Sequence, residues 1–260
     1  MNEWTPQGGR YEKLILLQSR PGGELYRAFD RQLERGVWIK RFTRTDEPAR
    51  FAREAAILGS LKHVALPWIH EAVAEPEAYL VMRPAHGRFL SQLLDEGPVP
   101  EVELIEWMVD LLGALEEAHR LGFVHRDVRP ENVFIERRDN RQSPLLLGFT
   151  RARATGSQRT STGQSDGGIH GFVAPEEITS TRVDLRTDVH GVAAVLYYAL
   201  EGREPRPLAL SPNEPPKPPE QCSPRLAAVL MHALDPDPSR RFPSAAAFSD
   251  EPPGYPSRIP

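Results

Sequence analysis

The chain has 260 residues, enough for one large domain or two lobes with a sizeable core, and its 40% hydrophobic and 26% charged content is ordinary for a globular protein. A formal charge of −4 gives no reason for a nucleic-acid or anionic-membrane partner, and the single cysteine, Cys222, excludes disulfide frameworks and cysteine-based zinc sites. The start carries no apolar stretch resembling a signal peptide, and the longest apolar run, residues 191–200, is half of what a membrane span needs, so the expectation is a soluble, cytoplasmic protein.

Residues 11–42 alternate apolar and polar positions around a Pro-Gly-Gly break at 21–23, which predicts strands joined by a tight turn. A helix is predicted next, with Pro48 in its first turn and Phe51, Ala55, Leu58 and Leu61 at helical spacing. Short apolar runs around 66–69 and 79–82 predict further strands. From residue 88 the pattern turns helical. Leu104, Ile105, Met108, Leu111, Leu112, Leu115 and Ala118 form a wide stripe, the packing face of a buried helix. Further buried helices are predicted at 188–200 and near 224–234. Between them, eight prolines from 205 to 224 favour an extended chain. Strands before helices predict an α+β fold: a sheet-rich lobe at 11–84 with five strands and one helix, a helical lobe at 85–250, and a flexible Pro-rich tail at 251–260.

The segment HRDVRPEN at 125–132 resembles the catalytic loop H-R-D-x-x-x-x-N of protein kinases. Its companions follow in order. VWIK at 37–40 resembles the third-strand V-A-I-K, and Glu54 falls in the following helix. LLLGFT stands at the D-F-G position, APE occurs at 174–176, and DPDPSRRF resembles the late motif whose arginine, Arg241, pairs with the A-P-E glutamate, Glu176. The resemblance covers residues 11–249, in the style of bacterial Ser/Thr kinases, and implies a bilobal kinase-like fold. It further implies that Lys40, held by Glu54, grips the ATP phosphates, that Asp127 orients the substrate hydroxyl, that Arg129 reaches the γ-phosphate, and that Asn132 holds magnesium. Gly23, Leu25, Trp38, Lys40, Met82, Ala85 and Phe134 take the nucleotide-binding positions. Leu58, Phe149, His125 and Asp188 match the internal stack that aligns kinase lobes.

Several positions depart from that pattern. Gly148 replaces the metal-binding aspartate, and glycine has no side-chain oxygen for a hard cation, which leaves Asn132 as the only metal ligand. Of the glycine-rich loop only Gly23 is in place, with Gln18 and Arg20 at the first two glycine positions. Trp38 stands where a small roof over the adenine is usual, and with Phe134 below it is expected to fill the base pocket. Arg129 replaces a lysine, and Ile169 lacks the hydroxyl of a threonine. Residues 151–168 are rich in hydroxyls and suit an activation loop whose phosphate Arg126 would receive.

These departures together imply a catalytically deficient pseudokinase, a signalling module acting through another protein, with ATP a possible ligand, no cofactor firmly required and magnesium not bound in the usual way. Two alternatives stay open: an active Ser/Thr protein kinase with non-standard metal use, and a nucleotide-binding switch without transfer.

Overall fold

The computed structural model describes residues 4, 6–20, 23–43, 47–156, 171–179, 184–205 and 216–251. The chain divides into two compact units, Met1–Lys62 with Leu66–His86, and His63–Ala65 with Gly87–Pro260.

In the first unit, β1 (Tyr11–Arg20), β2 (Gly23–Asp30) and β3 (Arg35–Arg41) form a meander, followed by α1 (Glu47–Ser60), β4 (Ile69–Val73) and β5 (Tyr79–Met82). The antiparallel sheet has the order β1-β2-β3-β5-β4, so β3 lies at its centre. One sheet face buries Tyr11, Ala28, Val37, Ile39, Tyr79 and Val81, with Trp4, Leu14 and Val73 packed against them. The intervening β3 residues, Trp38 and Lys40, take the other face by the two-residue period of a strand.

Two expectations for this unit need correction. The strand foreseen at 66–69 begins only at Ile69, because the preceding run contains Pro67, which has no N–H to give a ladder, and leaves Trp68 exposed. On α1, Ala55 is only half-buried, and the inward position beside Phe51, Ile57 and Leu58 is the charged Glu54.

The second unit holds β6 (Gly87–Phe89), α2 (Leu90–Glu96), α3 (Glu101–Arg120), β7 (Phe123–Val124), β8 (Val133–Arg138), β9 (Arg141–Leu146), β10 (Arg153–Ala154), α4 (Glu176–Thr179), α5 (Arg186–Glu201), α6 (Pro224–Ala233) and α7 (Ala245–Ser249). The whole expected stripe of α3, from Leu104 to Ala118, is buried. Helix α5 is buried nearly all round, as its apolar run demands. Ser223 caps α6 by accepting from Leu226 N, with Pro224 in the first turn.

This unit is not wholly helical after residue 88. Strands β6, β8 and β9 form a small sheet in that order, and β7 pairs with β10. The β8–β9 hairpin turns through Asp139 and Asn140, both at positive φ, between the paired Arg138 and Arg141. Asn and Asp are the residues that tolerate such a tight turn best after glycine. No helix among the described residues is long and apolar enough to cross a membrane.

Candidate functional site

In the first unit, β3 and α1 bring Lys40 and Glu54 together. Lys40 Nζ donates to both carboxylate oxygens of Glu54 at 2.7 Å, and the side chains are 17% and 2% exposed. A buried carboxylate needs such a partner, because desolvation without one is expensive. Phe42 lies under the ammonium, 5.2 Å from Nζ, and packs edge-on against Phe51 of α1. The strand and helix are therefore joined by both an ion pair and an aromatic contact.

Of the remaining first-unit candidates, Leu25, Trp38 and Met82 lie near Lys40 on the sheet, and Ala85 follows β5. Leu25 pairs with Lys40 across β2, and Met82 pairs with Trp38 across β5. Trp38, Leu25, Met82 and Ala85 are all buried. Gly23 has a packing reason of its own: a Cβ there would lie 2.8 Å from the Arg41 carbonyl oxygen. Gln18 and Arg20 belong to β1, where Arg20 pairs with Gly23.

In the second unit, a single carboxylate organises the 125–132 loop. Asp188, at the start of α5, accepts from His125 N and Arg126 N at 2.8 Å each, and His119 Nε2 lies 2.7 Å from its Oδ2. Burial alone would raise the Asp188 carboxyl, but His119, His125 and the Arg126 N–H hold it below its ordinary value. The anchoring lets Arg126 adopt φ 67°, a left-handed conformation rare for residues with a Cβ. His125 Nδ1 accepts from Asp127 N at 3.2 Å, so its Nε2 carries the proton toward Leu147 O at 3.0 Å. Phe149 packs edge-on against the same imidazole, with centroids 4.5 Å apart.

Asp127 and Asn132 come together through this loop. Asn132 Nδ2 donates at 2.7 Å both to the Asp127 carbonyl and to its carboxylate Oδ2. Arg129 is turned to Glu131, with Nε and Nη2 donating to its two oxygens at 2.7 and 3.1 Å. Burial works against the Arg129 charge, yet Glu131, with Asp127 and Glu204 nearby, raises its proton affinity. Phe134 follows on β8, edge-on to Phe89 at 5.3 Å. The partner role of Glu131 was missed in the sequence, although its place two residues after Arg129 was a usable signal.

Gly148 lies in the left-handed region, φ 88° and ψ 35°. A Cβ at this position would be 2.7 Å from both Cγ and Nδ2 of Asn132. The side-chain volume that a metal-binding acid would need is thus already taken by the Asn132 carboxamide. Asp139, the other acid after the loop, sits in the β8–β9 turn, and Asp166 lies outside the described residues. Among the described residues, no group of three or more His, Cys, Asp or Glu is placed to hold a metal ion. The donor set, an amide and one carboxylate already bonded to each other, does not fit a magnesium ion of the ordinary kinase kind.

Farther along the unit, Glu176 and Arg241 form the expected pair. Both guanidinium Nη atoms donate to the carboxylate at 2.8 Å, and Thr187 Oγ1 donates to it as well. The next residue, Glu177, was not anticipated. Its Oε2 accepts from Arg126 Nε at 3.2 Å, and burial pushes its carboxyl up to about 7 against the pull of Arg126 and Arg151. Ile169 and most of the hydroxyl-rich 151–168 segment lie outside the described residues.

The protein kinase domain family matches residues 21–251. The chain belongs to this family. Among curated relatives, this kinase domain is 32% identical to a probable serine/threonine-protein kinase of Streptomyces coelicolor, over 94% of this chain and 40% of that protein. It is also 32% identical to the serine/threonine-protein kinase PknB of Mycolicibacterium smegmatis, over 93% of this chain and 42% of that protein. The chain therefore spans about two fifths of these relatives. Among solved structures, the Mycobacterium tuberculosis PknI kinase domain superposes with a TM-score of 0.70 at 24% identity, covering 93% of this chain and 94% of that one. This likeness establishes the α+β kinase fold, with its β-sheet region first and its helical region after.

Proposed function

We propose that this kinase domain is a catalytically deficient signalling module that acts through contacts with another protein and handles magnesium–ATP poorly. The observation that carries the reading is Gly148, which supplies no metal ligand and whose missing side chain is replaced in space by the Asn132 carboxamide. The pairing of Arg129 with Glu131 points the same way, because a guanidinium held at 2.7 Å by a carboxylate is poorly available to a phosphate.

A second reading has its own support. The named relatives are serine/threonine-protein kinases, and this favours an active kinase that transfers the ATP γ-phosphate with non-standard metal use. The intact Lys40–Glu54 and Asp127–Asn132 pairs agree with it. Both pairs also have structural work, so their presence alone does not decide for turnover.

The test is an autophosphorylation and generic-substrate assay with Mg²⁺ or Mn²⁺, comparing the native chain with Asp127→Asn, beside thermal shift with ATP. The deficient reading expects no phosphate incorporation above the Asp127→Asn background. Incorporation abolished by Asp127→Asn overturns it in favour of the active kinase. A nucleotide shift without incorporation identifies a nucleotide-binding switch.

A further inference from the structure

Arg126 stands next to Asp127, its backbone held by Asp188 in the left-handed conformation. Its guanidinium is not directed to solvent. It lies against Glu177, and the two side chains are 13% and 5% exposed. Glu177 is itself fixed, because the preceding Glu176 is clamped by Arg241 and Thr187 at the start of α4. Arg151, in the short 3-10 turn that follows Gly148, adds a second positive charge around the same carboxylate. Arginines from the start of the 151–168 segment and from the 125–132 loop thus place positive charge around an acid that lies in the chain beyond the segment's other end.

A buried guanidinium requires an anion, and a phosphate on the hydroxyl-rich segment is one way to provide it. Here the chain provides a carboxylate. We infer that Glu177 is the resident counter-anion of Arg126, a positioning residue that holds the loop around Asp127 without a phosphate on residues 151–168. The inference concerns how the loop is held and is independent of whether the domain transfers phosphate.

Inorganic phosphate is the probe, used at pH 8, above the value of about 7 to which burial pushes the Glu177 carboxyl, so that this residue is ionised in the native chain. Glu177→Ala should lower the melting temperature, and millimolar phosphate should then raise it by several degrees in a saturable manner, while the native chain shows no such response. Glu177→Gln, which keeps the shape and an acceptor oxygen, serves if the alanine variant does not fold, and should also respond more than the native chain. Adding Arg126→Gln to either variant should remove the response. An equal phosphate response in the native chain, no response in either folded variant, or a response that survives Arg126→Gln each overturns the proposal.

Discussion

Gly148 and Asn132 share one volume: a Cβ on the first would lie 2.7 Å from the carboxamide carbon of the second. Asn132 cannot simply swing away, since its amide nitrogen holds both the carbonyl and the carboxylate of Asp127. Glycine at 148 is therefore built into the present packing of the loop, beyond being a missing ligand.

Gly148→Ala tests that packing. The positive φ and the displaced amide together should cost about 1–2 kcal/mol, a fall in Tm of about 2–6 °C. A variant as stable as the native chain would show that Asn132 yields freely and that the volume is not contested.

Lys40→Met removes the ammonium from a nearly buried carboxylate. Breaking such a pair should cost about 3–5 kcal/mol, whereas Lys40→Met with Glu54→Leu should recover more than half of that loss. Urea unfolding of the two single variants and the double variant supplies the cycle. Additive losses would mean that the pair contributes no coupling.

Nucleotide binding can be probed through Trp38, buried on β3 two residues before Lys40. Trp38→Val should cost about 3 kcal/mol in stability while giving a larger ATP-dependent thermal shift than the native chain. A native chain that already binds a fluorescent ATP analogue tightly would refute a base pocket filled by the indole.

Glu177 and His190 make opposed contributions to the pH dependence of stability. Glu177 titrates at 4.5 when unfolded and near 7 when folded, so its favourable contribution is complete below 4.5 and lost as pH rises through about 7. The charges facing it are Arg126 and Arg151, with Asp188 opposing them. His190, buried in α5 near Arg241, is pushed well below its ordinary 6.5, so stability falls as pH drops below that value. Glu177→Gln isolates the first effect: between pH 4.5 and 8 the variant should gain on the native chain by on the order of 3 kcal/mol. Parallel stability curves for the two proteins would remove the buried carboxyl as the source.

Much of this molecule is legible in the chain because its elements are long or its motifs spaced. The α3 stripe from Leu104 to Ala118 repeats over about four turns, and nothing else competes with a helix of that length. The 125–132 loop is readable because its residues serve one another directly. The short strands are a different matter. Residues 133–135 form an apolar run too brief to separate strand from helix, and the Asp139–Asn140 turn that resolves the question is marked only by two residues that tolerate positive φ. Glu54 was legible as a partner of Lys40 but not as the inward face of α1, because a charge on a buried stripe makes sense only once its counter-ion is in place. Glu177 was hidden for the same reason: its partner lies 51 residues away.

One consequence of the Asp188 anchor reaches beyond the site. The amides of His125 and Arg126 belong to no helix or strand, yet both end on a carboxylate that is itself sealed within α5. Amide protons so placed should exchange with deuterium as slowly as those of the core helices, surviving local fluctuation and escaping only when this unit opens as a whole. The most chemically suggestive loop of the chain would then be among its most protected segments, a shape maintained by global stability and independent of whether a reaction takes place there.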